Sequence, residues 1–180
     1  MKKLSTKVKM MNRYCFILFF LLLFSCNEEG MNYSETILEN DEINTTFLHH
    51  IQAPEKALLS WYLYAYGNEC GIGSSKKKCQ LLKEMNIQDE CDVDHLNNLL
   101  QWFSSDMLVV YKLNQCPNLP IKSAIQNTFE RIVLIRKMDT LSIQYSIKGI
   151  NNSQEKSWNI NQIDSYVLKS NTLIKINKDE

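Results

Sequence analysis

The sequence predicts an α+β fold, with helices first and a mainly antiparallel, disulfide-stabilised β-sheet afterwards. Three observations carry that expectation: apolar residues recur at helical spacing before residue 105, the period falls to two after residue 106, and four cysteines follow an export-type leader.

The elements can be justified in order. A helix is expected from about Ser34 to Gln52, weakened in its middle by Asn44-Thr45-Thr46. Pro54 opens and Gly67 closes a second helix, because proline fits a first helical turn and glycine follows a last one. Its positions 57, 58, 61 and 65 share one face, which predicts a buried stripe. Ser75 is placed to cap a helix from Lys76 to Met85, with Cys79, Leu82 and Met85 turned inward. Asp94 is expected to cap another, in which Leu96, Leu99, Leu100 and Phe103 follow i, i+3, i+4, i+7 spacing.

The period then changes. Met107 to Leu113 is apolar around Val109 and Val110 and is read as a strand. Leu141, Ile143, Tyr145 and Ile147 alternate with Ser142, Gln144, Ser146 and Lys148, the pattern of a strand with one wet face. Thr128 to Met138 precedes it across Asp139-Thr140, so the pair is expected to form a hairpin. Gly149 to Glu155 reads as a polar loop. Lys156 to Ile163, Ser165 to Leu168 and Thr172 to Ile176 read as short strands, with Ser170-Asn171 as a turn.

The leader carries a different message. Lys2, Lys3, Lys7, Lys9 and Arg13 form a basic start, and the apolar run Phe16 to Phe24 covers only about 14 Å of a hydrocarbon core roughly 30 Å thick. Such a segment suits an export signal and not a permanent span. Leu23-Phe24-Ser25-Cys26 resembles the lipobox of bacterial lipoproteins, although Phe24 stands where a small or β-branched residue is usual. The resemblance implies a signal peptide over 1–25, lipidation at Cys26, and attachment to a membrane of the cell envelope, the outer membrane in particular. Asn27-Glu28-Glu29 resembles the surface-export signal of Bacteroidetes-type lipoproteins, which leaves both the periplasmic and the surface face open.

Removing the leader changes the charge. The chain has 20 basic and 20 acidic residues, and the leader holds five basic and no acidic ones, so the remainder carries 15 against 20, a formal −5. Six acidic residues (Glu28, Glu29, Glu35, Glu39, Asp41, Glu42) and no Lys or Arg lie between 27 and 42. Residues 26–42 are therefore read as an acidic tether, and 43–180 as one domain, helical over 43–105 and β-rich over 106–180. An acidic tether before a nearly neutral domain argues against nucleic-acid binding.

Cys70, Cys79, Cys91 and Cys116 are an even set in an exported chain, which predicts two disulfides with three pairings open. A zinc site built from Cys70, Cys79, Cys91 and His95 is disfavoured, since no C-x2-C pair is present. Adjacent His49 and His50 point about 100° apart on a helix and form no chelating face. No G-x-S-x-G turn occurs, and Gly71-Ile72-Gly73-Ser74-Ser75-Lys76 lacks the spacing of a phosphate loop. No catalytic residue, metal ligand or cofactor is assigned.

Two features point to partners. Lys76, Lys77 and Lys78 stand at a helix start, where the macrodipole disfavours positive charge. Trp61, Tyr62 and Tyr64, with Tyr66, crowd one helix and cannot all face one way, so some are candidates for an exposed binding surface. The expected function is a non-catalytic protein-binding module of the envelope, inhibitor- or immunity-like, meeting an envelope or secreted protein. The alternative is a carbohydrate-binding or hydrolytic component of a surface uptake system.

Overall fold

The computed structural model describes residues 32–67, 76–116 and 125–176. The signal segment, Cys26, Cys70, the glycine loop and Ser75 lie outside the described residues, as does the Lys76 side chain. The chain divides after Gly30, and every described residue belongs to the second unit.

The α+β architecture is present. Six strands form one antiparallel sheet: β1 (Tyr33–Glu39), β2 (Glu42–Ile43), β3 (Ile125–Lys137), β4 (Thr140–Asn151), β5 (Lys156–Lys169) and β6 (Thr172–Lys175), in the order β2-β1-β3-β4-β5-β6. The described helices are α1 (Thr45–His49), α2 (Ala53–Tyr66), α3 (Lys76–Glu84), α4 (Val93–Trp102) and α5 (Met107–Leu113).

The first strand corrects the sequence reading. Tyr33–Glu39 is a β-strand paired with β3, so the folded domain begins inside the segment expected to be a tether, and the helix expected over 34–52 shrinks to α1. Asn40 and Asp41 make this possible. Both take positive φ (48° and 70°), which Asn and Asp tolerate, and they close a two-residue turn into β2.

A second correction concerns Met107–Leu113, which is a helix and not a strand. The Asp106 carboxylate accepts from the Leu108 and Val109 backbone N–H groups, satisfying donors that only a helix start leaves free. The helical region therefore extends past residue 105. Asp92, not Asp94, caps α4 by accepting from the Asp94 and His95 N–H groups.

The hairpin pairs Lys137 with Thr140 across Met138-Asp139. β4 runs on to Asn151, beyond the expected loop start at Gly149. The two short strands expected between Lys156 and Leu168 are one strand, β5, and Ser170-Asn171 turns it into β6 with φ of 49° and 60°.

The helices lie on one face of the sheet. Strand partners place Tyr33, Arg136, Leu141, Tyr166 and Lys175 in one row of that face, and Glu35, Leu134, Ile143 and Asp164 in the next. α2 is buried nearly all round, from Glu55 to Tyr64, because the sheet lies on one side and α4 and α5 on the other. Its apolar stripe is consequently a whole apolar cylinder.

Cys91 and Cys116 form a disulfide with Cα atoms 5.5 Å apart, joining the start of α4 to the end of α5. Cys79 is disulfide-bonded too. Of the three pairings the sequence left open, the observed bond fits one.

Candidate functional site

Trp61, Tyr62 and Tyr64 are interior residues, and this removes them as surface contacts. The Trp61 ring packs on Phe103 with centroids 5.9 Å apart, and Lys112 Nζ lies 5.8 Å from the centre of the same indole. The Tyr64 hydroxyl donates to the Lys112 carbonyl at 3.0 Å, which fixes α5 on α2. Tyr62 faces the other way, edge-on to Tyr145 and Tyr166.

Around Tyr62 the core is polar. Its hydroxyl donates to Asp164 Oδ2 and lies 3.0 Å from the Tyr166 hydroxyl. Asp164 Oδ1 accepts from Gln162 Nε2 at 3.2 Å and pairs with Lys175 Nζ at 3.1 Å. The Tyr145 hydroxyl is buried with no hydrogen-bond partner among the described residues, and its ring lies 5.4 Å from that of Tyr66. Burial raises Tyr62, Tyr145 and Tyr166 above the ordinary tyrosine range, and at Tyr62 the neighbouring Tyr166 and Asp164 reinforce it.

A second buried carboxylate lies at the start of α2. Glu55 is 1% exposed, and its Oε1 accepts from the Tyr33 hydroxyl and from Arg136 Nη1, each at 2.8 Å. Its Oε2 is buried with no hydrogen-bond partner among the described residues. Burial, then the bond to Glu55, lifts the Tyr33 hydroxyl above its usual range.

Lys77 and Lys78 do not present a basic patch. Lys78 is 2% exposed and its Nζ pairs with Glu90 at 2.7 Å; Lys77 Nζ reaches the Asp41 carbonyl and lies 3.5 Å from its carboxylate. Gly67 makes room for the Lys78 stem, since a Cβ there would sit 2.6 Å from Lys78 Cδ. His49 bonds Glu84 at 2.9 Å across α1 and α3, while His95 is half-buried; burial, then Lys56, pushes its imidazole below the usual range. No group of three His, Cys, Asp or Glu among the described residues is placed to hold a metal ion.

Two surface features stand out among the described residues, and the sequence reading named neither. The outer face of α5 presents Met107, Leu108 and Tyr111, which are 77%, 63% and 64% exposed, while Val109 and Leu113 of the same helix are buried. The signal was legible in retrospect, because 107 and 111 stand four apart and 108 and 111 three apart, the spacing of one helical face. Reading the segment as a strand hid it. Separately, Thr36, Glu39, Asn40, Glu42, Ile43 and Asn44 line a hollow of about 240 Å³ at the β1–β2 turn. Arg131 Nε donates to Glu39 Oε1 at 2.7 Å beside it.

Compared with protein-family models, curated proteins and solved structures, the chain matches none.

Proposed function

We propose that the protein is a lipid-anchored module of the bacterial cell envelope that binds another protein without catalysing a reaction. Leu23-Phe24-Ser25-Cys26 supports the anchor, with Cys26 as the lipidated residue. The observation that carries the binding reading is the outer face of α5, where a thioether, a leucine and a tyrosine stand together in water on a short helix. That helix is held from below by Val109, Leu113 and the Tyr64 bond, and from one end by the Cys91–Cys116 disulfide. Tyrosine and methionine are enriched in the centres of protein interfaces, and a surface that is already ordered loses little freedom on binding. The partner that fits is a folded envelope or secreted protein with an apolar recess, in keeping with an inhibitor or immunity role.

The test places a photo-crosslinking amino acid at position 111 and, as a control, at position 126. A partner trapped from 111 alone, and bound at least tenfold more weakly by Tyr111→Ala in purified form, supports the reading. Equal trapping from both positions, or unchanged affinity, removes α5 as the surface.

The hollow at the β1–β2 turn favours a second reading, a carbohydrate site. Two carboxylates and two amides line it, the donor and acceptor set that sugar hydroxyls use, yet its volume falls below the roughly 300 Å³ at which ligand pockets begin. Saturable binding of an oligosaccharide that Glu42→Gln abolishes would make it the primary one.

A further inference from the structure

The point where the chain enters the domain is fixed to one hairpin. Asn32 Oδ1 accepts the Met138 N–H at 3.0 Å, and the Met138 carbonyl accepts from Arg136 Nε at 2.7 Å. The adjoining Leu168 N–H donates to the Asp139 carbonyl at 2.7 Å, which brings the end of β5 to the same tip. Asn32, the β3–β4 turn and the β5–β6 turn therefore share one end of the sheet.

Met138 is unusual for that place. The β1–β2 and β5–β6 turns put Asn, Asp and Ser at their positive-φ positions, as turn chemistry prefers. The β3–β4 turn puts an apolar side chain at φ 51°, and leaves it 68% exposed. Lys137 and Lys169, both exposed, flank it, against one exposed acid, Asp139. The opposite end of β1 carries Glu39, Asp41 and Glu42 against Arg131 and Lys77, which pair with the first two, and so keeps one acid in excess.

Tether length limits how far the Asn32 end can stand from the membrane. From Cys26 to Asn32 is six residue steps, at most about 20 Å when fully extended. That tether keeps Asn32, and the Met138–Asp139 tip clipped to it, within about 20 Å of the surface that holds Cys26. β1 carries the acidic turn about 26 Å from Asn32, so the tether alone admits either end and the side chains at the two ends decide between them.

We infer that the Met138–Asp139 tip, with Lys137 and Lys169 beside it, rests against the phospholipid surface that holds Cys26. The inference depends on the lipid-anchor reading. It gives the thioether an apolar headgroup boundary to enter and the two lysines anionic phosphates to face. It also turns the acidic β1–β2 end away from the membrane.

The experiment uses the full lipidated chain in vesicles of phosphatidylethanolamine and phosphatidylglycerol that contain a spin-labelled quencher lipid. A fluorescent amino acid replaces Asp139 in one preparation and Glu42 in another. At least threefold stronger quenching at 139 than at 42 is expected. A chain that floats with the vesicles but is quenched equally at both positions, or more at 42, overturns the orientation and leaves the anchor standing. A chain that does not float with them removes the anchor, and the orientation with it.

Discussion

α2 and α5 are both apolar helices, and they lie against each other, yet they do opposite things with that character. α2 is enclosed by the sheet and by two helices, so Trp61, Tyr62 and Tyr64 are core. α5 is covered on one face only, so half of its apolar side chains face water. The difference teaches that composition states how much apolar surface an element has, and only its place in the layers states whether that surface is core or contact.

The contrast can be broken most directly by truncating each helix. Leu63→Ala in α2 is expected to cost about 3–5 kcal/mol in denaturant unfolding, because a fully buried leucine leaves a cavity. Leu108→Ala in α5 is expected to change stability by less than about 0.5 kcal/mol. Comparable losses would mean that α5 is as enclosed as α2.

Next comes the bond that holds α5 in place. Replacing Cys91 and Cys116 together by alanine reopens a loop with a sequence separation of 25 and is expected to cost about 3.5 kcal/mol. Amide exchange should then rise in α5 before α2, and uniform acceleration would contradict an α5 covered on one face only.

Alkali sharpens the same comparison from the other side. Tyr62 and Tyr166 have folded-state pKa values raised above the unfolded value, so their contribution is whole below about pH 10 and shrinks as pH climbs past it. Each should remove up to about 1.4 kcal/mol per pH unit beyond that point. Tyr62→Phe is expected to flatten the decline, and an unchanged alkaline slope would contradict a buried Tyr62 hydroxyl.

The smallest effect is a gain. Met138→Asn places a residue that tolerates positive φ in the β3–β4 turn and is expected to stabilise by about 1 kcal/mol, read as a higher unfolding midpoint. No change would mean that the turn imposes no strain on methionine.

Much of the fold is legible in the sequence. Pro54 and Gly67 bracket α2, the alternation from Leu141 to Ile147 marks β4, and Ser170-Asn171 marks the last turn. The misses have physical causes. β1 was hidden because a core-facing position holds Glu35, which is met by Asn44 from beyond the turn. β5 was divided in two because Gln162 and Asp164 interrupt its inward apolar pattern, and that interruption is the polar cluster beneath Tyr62. Lys78 gave no local sign of burial, since its partner Glu90 stands twelve residues away along the chain. The α5 surface went unseen because Val109 and Val110 suggest a strand, and Asp106, one residue before the segment, overrides them.

The clip between Asn32 and Met138 also has a mechanical side. A pull on the chain at Asn32 along the axis of β1 loads the six register pairs from Tyr33–Arg136 to Glu39–Arg131 together, in shear. Rungs loaded in parallel must fail together, whereas rungs peeled sideways fail one after another. Force spectroscopy from residue 32 should therefore record a higher rupture force along β1 than across it. The strand read from composition as tether is the part of the domain that such a pull loads first.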